Sequence, residues 1–120
     1  PLSGYLQLAA KLLKGDTGFA DGWNFGPEDE SCVEVSVLLD KMKIHWDGIN
    51  YEVESEGQHE AGFLKLNSSK AKSELKWQPR LSIDETLKMT ADWYREFHLS
   101  NKIITHQQIE KYSNILRSAK

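Results

Sequence analysis

The side chains that could do chemistry are few and scattered. His59 and Glu60 stand together in the polar run Ser55-Glu56-Gly57-Gln58-His59-Glu60, and a carboxylate beside an imidazole raises its proton affinity. His45, His98 and His106 share no ligand spacing with each other or with His59, so the sequence offers no zinc site and no metal ligand is assigned. Cys32 is the only cysteine, which rules out an internal disulfide and a cysteine metal site. Its acidic neighbours Glu28, Asp29, Glu30 and Glu34 oppose a reactive thiolate. Tyr5, Tyr51, Tyr94 and Tyr112 lack a lysine four residues on, and no Gly-x-Gly-x-x-Gly, Gly-x-x-x-x-Gly-Lys or Gly-x-Ser-x-Gly pattern occurs. No catalytic residue is assigned. What remains is an amide: Asn24, in Gly22-Trp23-Asn24-Phe25-Gly26-Pro27. It either satisfies the backbone of a turn or presents a polar group to a small ligand.

The elements that would position these residues follow from period and punctuation. Trp23 and Phe25 alternate with Asn24 as in a short strand, which Gly26-Pro27 ends. Leu2, Leu6, Ala9, Ala10 and Leu13 predict an amphipathic helix from about Leu2 to Lys14, capped by Gly15. Ser31 with Glu34 has capping-box spacing and predicts a second helix running from there to Asp47-Gly48, with Glu28–Glu30 at its entry and Cys32 near its start. Ile49, Tyr51 and Val53 alternate with polar residues and predict a half-buried strand, and Phe63–Leu66 a shorter extended piece. Asn67 or Ser68 opens a two-turn helix over Lys70–Lys76, stopped by Trp77-Gln78-Pro79. Ser82 and Glu85 form a second capping box ahead of a helix whose stripe is Ile83, Leu87, Thr90, Ala91 and Tyr94. Residues 100–120 read as a terminal helix or tail.

Bulk properties narrow the class. A chain of 120 residues with 39% hydrophobic and 28% charged residues can pack a core, and its length allows one ordinary domain. A net charge of -3 gives no basic footprint, so nucleic acid is not the expected partner. No apolar run approaches the roughly 20 residues that span a bilayer, so no membrane partner is expected, and cytoplasmic is the simplest localisation. The chain opens Pro1-Leu2-Ser3-Gly4 directly into a helix, which reads as a start inside a larger protein.

Three stretches in order carry a family resemblance. They are Trp23-Asn24-Phe25-Gly26-Pro27, then Gln58-His59-Glu60-Ala61 leading to Leu64-Lys65-Leu66-Asn67-Ser68-Ser69-Lys70-Ala71, then Leu75-Lys76-Trp77-Gln78-Pro79-Arg80 leading to Leu87, Thr90 and Trp93-Tyr94. Together they resemble the C-terminal part of extended short-chain dehydrogenase/reductases that act on nucleotide-sugars, over essentially the whole chain. Lys76 stands where those enzymes usually carry glycine, and Asn67 where aspartate is usual. The resemblance implies an α/β fold, the substrate-binding lobe of mixed helices and short strands over residues 1–120. It also implies a parent lyase in which a Rossmann domain outside this chain binds NAD and carries the catalytic Tyr and Lys. Asn24, Gly26, Pro27, His59 and Glu60 would then line the nucleotide side of a CDP-sugar substrate, with Trp77 and Trp93 packing around the short helix. The parent would be a homo-oligomer, and this portion would have no turnover alone. An epimerase, a dehydratase for another nucleotide, or a non-catalytic nucleotide-binding or interaction module remain open from the residues themselves.

Overall fold

The computed structural model describes residues 1–52 and 65–118. Five α-helices follow in chain order: α1 (Leu2–Leu13), α2 (Val35–Lys43), α3 (Ser69–Ser73), α4 (Ile83–Ser100) and α5 (Thr105–Ser118). Single 3-10 turns occupy Thr17–Phe19 and Asp29–Ser31. Among the described residues there is no strand, which overturns the α/β expectation. The physical reason lies in pairing. Alternation selects an extended chain, but a strand exists only where a neighbour accepts its amides and donates to its carbonyls. Trp23–Phe25 runs without a bend yet pairs with no backbone among the described residues, and Ile49–Glu52 lies outside regular structure. Val53 and Phe63-Leu64 lie outside the described residues.

The chain divides into two compact units, Pro1–Cys32 with Gln58–Pro79, and Val33–Gly57 with Arg80–Lys120. The first is built on the core of Phe25, Ala71, Leu75 and Trp77, flanked by Leu8, Phe19 and Trp23. Helix α1 ends as its glycine predicts: Gly15 adopts φ +82°, and the amides of Gly15 and Asp16 reach back to the carbonyls of Leu12 and Lys11 at 2.9 and 3.2 Å. Its inward face is not the expected stripe. Gly4 and Leu8 face the core and Gln7 donates to the Leu75 carbonyl at 2.6 Å, whereas Leu2, Leu6 and Leu13 are 75, 73 and 89% exposed. Ser3 Oγ accepts from the Trp77 indole at 3.0 Å, tying the first turn of α1 to the chain just past α3. Asn67 Oδ1 accepts from the Ser69 amide at 2.9 Å in the turn ahead of α3, whose N-cap, Ser68, makes no side-chain capping bond. Lys76 then takes φ 55°, letting the Trp77 amide return to the Ala71 carbonyl at 3.0 Å.

The second unit rests on α2, α4 and α5. Helix α4 opens on the expected capping box: the Ser82 hydroxyl accepts from the Glu85 amide at 3.2 Å while the Glu85 carboxylate accepts from the Ser82 amide at 2.9 Å. Leu87 and Ala91 are its buried residues. Left-handed Asn101 ends it, with the Lys102 amide reaching the Glu96 carbonyl at 3.2 Å. Helix α2 is shorter than expected and starts at Val35, so the Ser31–Glu34 box does not form. Arg95 on α4 donates to the His45 carbonyl just past α2 at 3.0 Å and pairs with Asp92 at 2.9 Å. Burial pushes the Asp92 carboxyl up, but Lys88 at 2.6 Å and Arg95 pull it below the ordinary range on balance. Helix α5 is fastened by Trp93, whose indole donates to Thr105 Oγ1 at 2.7 Å, and by Gln108, which donates to the Met89 carbonyl at 2.6 Å. Within its own unit Trp93 packs with Phe97 and Tyr94.

Candidate functional site

The Trp23–Pro27 segment is held by its two rings. Phe25 enters the core and is 5% exposed, meeting Tyr5 and Trp77 edge-on at 5.2 and 5.1 Å. Trp23 donates its indole N–H to the Phe19 carbonyl at 3.0 Å and stacks on the Phe19 ring at 5.6 Å. Two ammonium groups close this stack, Lys70 at 4.5 Å from the Trp23 ring centre and Lys11 at 4.9 Å from the Phe19 ring. Between these anchors Asn24 is exposed, and its side chain bonds no described residue. It does not serve the turn backbone. Gly26 is buried against Leu66, whose Cβ would lie 3.3 Å from any Cβ placed there. Pro27 is exposed.

Three ion pairs fasten both flanks of this segment to residues 65–72. Lys70 pairs with Asp21, Lys65 with Asp29, and Lys72 with Glu28 at 2.5 Å. The hydrogen bond from Lys70, helped by the Gly22 amide, holds the Asp21 carboxyl below its ordinary 3.8. The hydrogen bond from Lys65 lowers Asp29 likewise, and Asp29 raises Lys65 in return. The acidic run thus meets lysines. It does not enter α2, whose first turn carries no acidic residue. Cys32 likewise precedes α2, its thiol 3.9 Å from the Glu28 carbonyl. These lysines were not singled out from the sequence, although Lys65, Lys70 and Lys72 crowd eight residues whose helix is too short to need them for itself.

Of the expected site residues, the structure describes Asn24, Gly26 and Pro27, side by side on this segment. His59 and Glu60 lie outside the described residues. The other histidines sit apart from the segment's own contacts. His45 offers its carbonyl to Arg95, His98 packs at 5.6 Å on Trp46, and His106 faces Glu110 at 3.5 Å. Among the described residues no group of three His, Cys, Asp or Glu side chains is placed to hold a metal, and no helix is long and apolar enough to cross a membrane. What the segment offers is an exposed amide that bonds no described residue, between two packed rings, which can donate to and accept from a small polar ligand.

No family model matches the sequence. Comparison with curated proteins finds similarity to a 4,6-dehydratase. That relative is CDP-glucose 4,6-dehydratase of Salmonella typhimurium (strain LT2), 41% identical over 97 residues that make up 79% of this chain. The chain is a homologue of that enzyme, and the matched stretch spans 27% of the enzyme's length.

Proposed function

We propose that this chain is the C-terminal, substrate-gripping part of a nucleotide-sugar 4,6-dehydratase that converts CDP-glucose to CDP-4-keto-6-deoxyglucose, and that it has no turnover alone. The observation that carries this reading is the 41% identity to CDP-glucose 4,6-dehydratase over most of the chain. Asn24, Gly26 and Pro27 line the nucleotide side together with His59 and Glu60, and Asn24 supports that role because its exposed amide bonds no described residue. NAD, which supplies hydride acceptance and return in this reading, does not fit the residues present. The sequence lacks both the glycine-rich dinucleotide loop and the Tyr-x-x-x-Lys pair, so the cofactor is assigned to the remainder of the enzyme. The exposed Leu2, Leu6 and Leu13 on α1 support burial of that face in the whole enzyme, a cytoplasmic homo-oligomer in this reading.

The test is a nitrogen-15 amide spectrum of the chain titrated with CDP and then UDP. Shifts at Asn24 and Gly26 that are larger for CDP are expected. A dispersed spectrum indifferent to both removes the nucleotide grip. Formation of the 4-keto-6-deoxy sugar by the chain with NAD and CDP-glucose overturns the assignment of the chemistry to the remainder.

A further inference from the structure

Asn24 stands between two anchors of different kinds. Phe25 on one side is buried in the core. Trp23 on the other is only half-buried, stacked on Phe19 with the Lys70 ammonium lying over its ring at 4.5 Å. The same ammonium pairs with the Asp21 carboxylate and donates to the Gly22 carbonyl at 3.3 Å. Lys70 therefore holds in turn Asp21, Gly22 and Trp23, the residues that lead into Asn24. An ion pair to a carboxylate as exposed as that of Asp21 fixes little by itself. Here one ordered lysine serves the carboxylate, the carbonyl and the ring together, so the entropy cost of ordering it is incurred once. Its base is fixed as well, because Ala71, the next residue of α3, is fully buried in the core.

We infer that Lys70 is a positioning residue: through Trp23 it sets where the Asn24 amide stands, and so how firmly that amide grips a nucleotide. The link to a nucleotide rests on the substrate reading proposed above, whereas the placing of Asn24 does not. Lys65 and Lys72 do not share the role. They grip Asp29 and Glu28 on the far side of Pro27, and the buried Phe25 and the fixed φ of proline lie between those pairs and Asn24.

The experiment compares the whole chain with its Lys70→Met, Lys70→Arg, Lys65→Met and Lys72→Met variants. Nitrogen-15 relaxation of the Asn24 amide is read without ligand, and the Kd for CDP is read from amide shifts. Lys70→Met is expected to lower the Asn24 order parameter from about 0.85 toward 0.6. It should also weaken CDP about threefold or more, as expected when one side chain must be ordered on binding. Lys70→Arg should restore both, because a guanidinium keeps the charge and stacks on an aromatic face. Lys65→Met and Lys72→Met should leave Asn24 as it is. Where Lys70→Met loses the dispersed spectrum of the folded chain, Asp21→Asn is read in its place, since it removes one of the Lys70 contacts from the exposed side. The inference is overturned if Lys70→Met leaves Asn24 as ordered as before, if Lys65→Met or Lys72→Met loosens it equally, or if Lys70→Arg fails to restore it. A loosened Asn24 with unchanged CDP affinity overturns the link to the nucleotide. An original chain indifferent to CDP removes the substrate reading instead, and the comparison without ligand still decides the placing of Asn24.

Discussion

The Phe25 ring occupies the space a side chain on Gly4 would need: a Cβ there would lie 2.3 Å from two atoms of the ring. Helix α1 therefore approaches the Trp23–Pro27 segment through a glycine, and the ring goes on to meet Trp77. Gly4→Ala is expected to destabilise the first unit by about 1–3 kcal/mol, since either the helix or Phe25 must move. Urea unfolding followed by tryptophan emission measures it. An unchanged midpoint would mean the ring has room to swing aside.

Lys76 sits at φ 55°, a conformation that costs a residue with a Cβ about 1–2 kcal/mol and glycine little. Glycine loses about 0.5–1 kcal/mol more in chain entropy, so the two effects partly offset. Lys76→Gly should stabilise the first unit by up to about 1 kcal/mol, while Lys76→Val should weaken it. Thermal melts of the two variants should move in opposite directions.

The two capping-box spacings make a paired experiment. Ser82→Ala removes the hydroxyl that accepts from Glu85 and should cost about 1 kcal/mol in the second unit. Ser31→Ala should change helix content little, because α2 begins four residues later without a side-chain cap. Equal losses would contradict the described start of α2.

Asp21 and Asp29 have folded pKa values below 3.8, held there by Lys70 and Lys65. The unfolded carboxyls bind protons first as pH falls. The stability these pairs give is therefore fully present above the unfolded value and lost as pH drops through the lower, folded one. Unfolding midpoints measured from pH 6 down to pH 2 should fall, and Asp21→Asn with Asp29→Asn should flatten that fall. Glu85, lowered by the Ser82 amide and hydroxyl, behaves the same way in the second unit.

What was legible in the sequence is what neighbouring residues decide among themselves. Gly15 and the Ser82–Glu85 box are closed by bonds within one turn, and both form. Ser31–Glu34 has the same spacing and fails, because the chain turns at Asp29–Ser31 and the nearby carboxylates are drawn to lysines some forty residues on. Strands fail for a related reason: Trp23–Phe25 has the right pattern, but its partner is not set by the pattern. On α1 the period is right and the face wrong, since the stripe of leucines is exposed while a glycine and a glutamine meet the core. The turn at Asn24, Gly26 and Pro27 is legible because Gly-Pro punctuation is local. The lysines that brace it are not, because ion pairs across the chain leave no local mark.

The two compact units alternate along the chain, each assembled from two stretches with a piece of the other between them. Ser3 must find Trp77 and Gln7 must find Leu75 across some seventy residues, so the first unit closes a long loop before its core exists. During synthesis, neither unit can complete itself until the chain has passed Pro79. The aromatic core around Phe25 then spends that interval uncovered, and the speed of translation through residues 33–79 sets how long it lasts.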